Sequence, residues 1–202
     1  MSKTDLCLLF EKYGSDKCDQ VYHTYSRFYH ALLLKKRNSV QNFLEIGIGT
    51  RALMVPIVGN EYKEGASLKA WRDFFPNATV YGLDIDTSVL FEDDRIKCYS
   101  VDQSQETSLK ETTYKIFQEH AINSFDVIVD DGSHILEHML LSLNIMSKFL
   151  SNDGIYIVED IKDHEVGFFL RHVPVDLKIV CVYTGNYGKL NTQDNFVAYR
   201  KI

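Results

Sequence analysis

Two short acidic runs carry most of the chemistry in this 202-residue sequence: Asp130-Asp131-Gly132-Ser133-His134 and Glu159-Asp160. Each follows an apolar run of strand character, over 126–129 and 155–158. If those strands are neighbours, four carboxylates meet at one sheet edge, where they repel unless protonated or neutralised. A divalent cation is the simplest neutraliser. An all-oxygen ligand set favours magnesium, or manganese or calcium, over zinc. His134, three residues after Asp131, has an ordinary pKa near ~6.5 and can take up a proton at neutral pH. A lone histidine is more often a surface or capping residue, but its place beside the carboxylates favours chemistry here. His138, one turn on, has no such context and reads as structural.

A second group of residues suits a nucleoside. Ligands of open α/β sheets bind beyond the carboxyl ends of the strands. The first strand runs into Glu45-Ile46-Gly47-Ile48-Gly49-Thr50, where two glycines let the backbone turn sharply and approach a ligand. The second runs into Asp84, whose carboxylate can accept both hydroxyls of a ribose. The third runs into Asp102-Gln103, suited to an adenine edge. The run Gly47-x-Gly49-x-x-Ala52 also fits the dinucleotide fingerprint. Two features oppose that alternative. Pro56, Gly59 and Gly65 interrupt the helix it needs, and Asp84 lies 35 positions past Gly49 rather than about 20.

The elements that must position these residues follow from periodicity. Helices are expected over 4–13, 24–37, 67–74, 105–120 and 135–150, with Ser67 as an N-cap. Strands are expected over 43–46, 79–83, 95–100, 126–129, 155–158, 178–184 and 195–200. Residues 51–66 read as a loop, and Pro56, Pro76 and Pro174 are placed outside regular elements. The last two strands have no helical pattern between them and are expected to be antiparallel. The fold class is therefore α/β: a seven-stranded, mostly parallel Rossmann-like sheet with an antiparallel last strand and helices on both faces. This layout resembles that of class I methyltransferases. One domain is expected over 1–202, with residues 1–40 as a helical cap and 41–202 as the catalytic core.

Composition narrows the partners. Net charge is −6 and no basic face accumulates, which argues against a nucleic-acid binder. Cysteines 7, 18, 98 and 181 lack zinc or redox spacing and read as reduced thiols of a cytoplasmic protein. No apolar run reaches the ~20 residues of a membrane span. The N-terminal apolar patch is broken by Glu11 and Lys12 and does not read as a signal peptide.

In this order and spacing the motifs resemble a family. They include Lys12-Tyr13-Gly14-Ser15-Asp16-Lys17, His23-x-Tyr25, Glu45-Ile46-Gly47-x-Gly49, residues 65–71, Phe75-Pro76, residues 81–85, residues 130–134 and Val158-Glu159-Asp160. The sequence is similar to the metal-dependent sugar O-methyltransferases of macrolide biosynthesis, the mycinamicin and macrocin type, with relatives in bacterial surface-polysaccharide clusters. The resemblance implies S-adenosyl-L-methionine and Mg2+, with Mn2+ as a substitute. It implies Asp131, Glu159 and Asp160 as metal ligands and His134 as general base. It places Glu45, Gly47, Ser67, Asp84, Asp102, Gln103 and Asp130 along the cofactor, with the Tyr13–Lys17 segment and His23 folding over it.

The acceptor implied is a hydroxyl of a sugar or glycosylated small molecule. An amine, phosphoramidate or phenol is the alternative. A non-catalytic cofactor-binding module is a third reading; its mark would be loss of the carboxylates or the histidine, and all are present. Residues 51–64, within the 51–66 loop, are expected to form a mobile lid or a subunit contact, relatives of this kind being self-associating. With loops 161–172 and 185–193, the 51–66 loop sets the acceptor.

Overall fold

The computed structural model describes residues 3–17, 23–185 and 194–202. Its strands are β1 (Asn42–Ile46), β2 (Thr79–Asp84), β3 (Glu92–Asp93), β4 (Ile96–Ser100), β5 (Phe125–Asp130), β6 (Leu150–Val158), β7 (Leu177–Thr184) and β8 (Asn195–Lys201). They form one sheet in the order β3-β4-β2-β1-β5-β6-β8-β7. The central pairs are parallel, whereas β8 runs antiparallel to both β6 and β7. The seven expected strands are all present. An eighth, the two-residue edge strand β3, pairs antiparallel with β4 and is too short to leave a periodic trace.

The helices are α1 (Asp5–Tyr13), α2 (Tyr25–Leu33), α3 (Arg51–Val58), α4 (Ala66–Phe74), α5 (Glu106–His120), α6 (Leu136–Met146) and α7 (Val166–Arg171). Local chemistry sets their ends. The Thr4 side chain accepts from the Cys7 amide to start α1, and Gly14, in the left-handed region at φ 72°, ends it. Two expectations are corrected here. The 51–66 stretch holds α3, started by Thr50 accepting from the Leu53 amide. Pro56 lies inside that helix, where it forgoes the bond to the carbonyl four residues back. Gly65, not Ser67, caps α4, because its φ of 71° suits a residue without a Cβ.

Both sheet faces are covered, so the central strands are apolar on both sides. Successive side chains alternate faces. Phe43, Val127, Val129, Ile155 and Ile157 join one core with Phe10, Tyr29 and Trp71 of α1, α2 and α4. Leu44, Ile46, Ile128, Tyr156 and Val158 join the other with residues of α5 and α6. The N-terminal helices are thus a layer of the sandwich, sealed by contacts such as the edge-on Phe10–Trp71 pair at 5.0 Å. The same alternation decides where the acidic residues go once the strands end.

Candidate active site

A cavity of about 860 Å³ opens over the carboxyl ends of the parallel strands. The turn after β1 forms its floor. Gly47 has a φ of 96°, and a Cβ there would come within 2.0 Å of the Asp131 carbonyl oxygen. Only glycine fits, and its absent side chain brings the two strand ends together. Asp84 closes the turn: its carboxylate accepts from the Ile48 amide at 2.8 Å and from the Asp86 amide at 2.9 Å. Asp102 accepts from the amide and hydroxyl of Ser104. Both carboxylates line the cavity, as do Ser67 and His23.

Gln103 also lines the cavity, but its amide is engaged. Its Nε2 donates to Asp130 Oδ1 at 2.6 Å and to Ser142 Oγ at 3.1 Å, while its Oε1 accepts from the Ser133 amide at 2.9 Å. Both amide hydrogens are used inside the protein, so Gln103 braces the 130–134 turn. Three residues expected along the cofactor are not part of the cavity lining. Asp130 is fully buried on the α6 face, where burial pushes its carboxyl up to about 6 against its bonds from Ser142 and Gln103. Glu45 is fully buried on the opposite face, accepting from Ser67 Oγ at 2.8 Å and Trp71 Nε1 at 3.4 Å. Tyr13 donates to Asp73 at 2.6 Å, outside the cavity lining.

Asp131, His134 and Asp160 also line the cavity. His134 Nε2 is 3.1 Å from Asp131 Oδ1 and 3.7 Å from Asp160 Oδ2. Tyr25 donates to Asp160 at 2.7 Å. His23 meets Asp194 at 3.0 Å through Nδ1 and Asp160 at 3.6 Å through Nε2. His134 and Asp160 both hold left-handed backbone, at φ 53° and 52°. That conformation is uncommon for residues with a Cβ and gathers at functional sites. Beneath them lies Lys17, 1% exposed, whose ammonium donates to Asp131 Oδ2 at 2.5 Å and Glu159 Oε2 at 2.6 Å.

These contacts shift the titrating groups. For Asp131, burial raises the pKa, but Lys17 and His134 outweigh it and hold the carboxyl well below its usual range. Burial pushes Glu159 well up, against the pull of Lys17. Burial lowers His134, yet the bond to Asp131 and the charges of Asp160 and Asp131 prevail and raise it to about 9.

The cluster fits a hard divalent cation. Asp131, His134 and Asp160 offer ligand atoms within 4.8 Å of one another, and Glu159 Oε1 is buried without a hydrogen-bond partner. Carboxylate oxygens with at most one imidazole suit magnesium or manganese.

No protein-family model matches the chain. L-olivosyl-oleandolide 3-O-methyltransferase of Streptomyces antibioticus is 36% identical over 149 residues, 74% of this chain and 35% of that protein. Demethylmacrocin O-methyltransferase of Streptomyces fradiae is 32% identical over 162 residues, 79% of this chain and 37% of that protein. The chain is a homologue of the macrolide and sugar O-methyltransferases. It spans about a third of the length of these relatives. The solved MycE methyltransferase of the mycinamycin pathway, in complex with Mg, SAH and mycinamycin VI, shares the fold. Its TM-score is 0.73 at 24% identity, over 98% of this chain and 55% of that one.

This O-methyltransferase homologue carries site residues that sequence reasoning missed. Lys17 ends the segment expected to fold over the cofactor, but nothing in its spacing points to its contact with Asp131. Tyr62, buried in the 51–66 stretch, donates to the carbonyls of Ile48 at 3.2 Å and Gly49 at 3.1 Å, and so ties that stretch to the glycine turn. From α3, Leu53, Met54 and Ile57 line the cavity.

Glu45 gives a pH-dependent prediction. Burial raises its carboxyl from 4.5 to about 7, more than Lys17, Ser67 and Trp71 lower it. The folded state therefore holds this proton more tightly than the unfolded state. The resulting stability is complete below pH 4.5 and is lost as pH rises through about 7. Glu45→Gln removes the loss. In urea unfolding without metal, the variant should gain on wild type between pH 5 and pH 8 by on the order of 2 kcal/mol. A difference that does not change with pH would show that Glu45 ionises without penalty.

Proposed function

We propose that the chain is a divalent-metal-assisted O-methyltransferase that moves the methyl group of S-adenosyl-L-methionine to a hydroxyl of a sugar or glycosylated small molecule. One juxtaposition carries this reading. A single cavity is lined both by Gly47 and Asp84 and by the Asp131–His134–Asp160 cluster. Relatives named for O-methylation of olivosyl and rhamnosyl compounds support the acceptor class.

In this reading Gly47 lets the cofactor approach the backbone, Asp84 accepts the ribose hydroxyls and Asp102 faces the adenine. Asp131, Glu159 and Asp160 would hold magnesium or manganese. A divalent cation bound there supplies Lewis acidity, which lowers the pKa of an acceptor hydroxyl. His134 takes the proton. With its pKa at about 9 it already carries one at neutral pH in the metal-free protein, so it serves as a base only when the charges of Asp131 and Asp160 are neutralised. The unit works as one methyltransferase domain in the cytoplasm, on a small molecule and not on nucleic acid; sizing by light scattering would decide whether it self-associates.

The test is transfer of labelled methyl groups to a panel of deoxysugar glycosides, amines and phenols, with magnesium or with chelator. Labelled sugar ether formed only with metal is expected. Equal transfer in chelator would remove the metal role, and labelling confined to amines or phenols would replace the acceptor.

A further inference from the structure

We propose that Lys17 is the resident cation of the carboxylate cluster and competes with the divalent metal for Asp131 and Glu159. This rests on the metal role proposed above. The Lys17 ammonium lies 2.5 Å from Asp131 Oδ2, 2.6 Å from Glu159 Oε2 and 3.8 Å from Glu45 Oε1. Two of those three carboxylates are the ones assigned to the metal. An ammonium at 1% exposure is tolerated only because it is paired this way.

Position makes the competition specific. Lys17 lines the cavity, whereas Glu159 does not and is fully buried. A cation entering from the cavity meets Asp131, His134 and Asp160 first. Glu159 Oε2 lies behind that lining, in contact with the Lys17 ammonium at 2.6 Å. Magnesium binds carboxylate oxygens at about 2.0–2.1 Å, so a metal on these oxygens stands a few ångström from the ammonium, and the two positive charges repel. The backbone of this segment is pinned: Ser15 donates to the Phe10 carbonyl at 2.9 Å and Ser26 to the Lys17 carbonyl at 3.1 Å. Exchange is therefore a movement of the side chain, for which a flexible four-carbon stem ending in a compact charge is suited. Lys17 keeps the empty cluster neutralised and sets how tightly metal must bind to displace it.

The test titrates Mn2+ into the purified chain without cofactor, following free Mn2+ by electron paramagnetic resonance. Lys17→Met should bind Mn2+ about tenfold or more tightly than wild type, the scale of one removed like-charge contact. Unchanged affinity overturns the proposal. Weaker affinity also overturns it, and makes Lys17 a brace for the ligands instead. If neither protein binds Mn2+, the metal reading itself fails and takes the proposal with it. Should the variant not fold, wild type alone decides. Acylation of Lys17 by a water-soluble N-hydroxysuccinimide ester, read by mass spectrometry, should be several-fold faster with Mg2+ than without. An equal or slower rate with metal overturns the proposal.

Discussion

His134→Ala is expected to lower turnover by about two to four orders of magnitude, with affinity for S-adenosyl-L-methionine close to that of wild type. The side chain is 32% exposed and lines the cavity beside Asp131 and Asp160. Among the described residues its close polar contacts are those two carboxylates. The residues proposed for the nucleoside, Asp84 and Asp102, are tied to other groups: Asp84 to the glycine turn, and Asp102 to Ser104. Removing the imidazole therefore leaves the cofactor half intact. Position 134 has a φ of 53°, so alanine adds strain of about 1 kcal/mol. His134→Asn controls for this, because asparagine tolerates that backbone but is no base; it should be as inactive as alanine. Calorimetry with cofactor and initial rates with acceptor separate the outcomes. Near-normal turnover would discard the base role. Joint loss of cofactor binding would make His134 a support for the 130–134 turn.

Much of this site was legible because its residues sit where strands end. The apolar runs before Gly47, Asp84, Asp130 and Glu159 are buried on both faces, and both-face burial is what a short unbroken apolar run reports. What failed was the assignment of neighbours along the chain to one site. Asp130 and Asp131 are adjacent, yet the two-residue alternation of a strand sends Asp130 toward Ser142 on the α6 face and Asp131 toward Lys17 on the other. Glu45 follows the same rule and turns into the core beside Trp71. A motif quoted as a string hides this.

The remaining omissions are long-range. Lys17 meets Asp131 across 114 positions, and no periodicity encodes such a pair. Pro56, Gly59 and Gly65 concealed α3, since punctuation residues suggest loop even where a Thr50 cap and an apolar run support a short helix. Tyr62 gave no signal, because its role depends on carbonyls freed by the glycine turn. Residues 186–193, within the third acceptor loop, and Cys18 lie outside the described residues.

Asp131→Asn is expected to abolish metal-dependent turnover and to cost the metal-free protein about 2–3 kcal/mol. That is at or just below the low end of about 3 kcal/mol for a broken buried ion pair, because the Asp131 side chain keeps 22% exposure. The substitution preserves shape and removes charge. Today one oxygen accepts from Lys17 and the other meets His134. Asparagine keeps only one acceptor oxygen and turns an amide donor toward the remaining cation. Its signature is in pH. His134 has a pKa raised from 6.5 to about 9 in the folded state, partly by the bond and charge of Asp131. A histidine shifted upward contributes stability that is full below its unfolded pKa and is lost as pH rises through its folded one. The variant forfeits that share. The gap between wild type and Asp131→Asn should therefore be widest near pH 6 and narrower above pH 9, while a residue from the lost Lys17 contact persists at both. Urea unfolding at those two pH values, with chelator present, measures the gap. A gap that is constant or grows toward high pH would mean that Asp131 does not hold the His134 proton, and the cluster would then be organised around Lys17 alone.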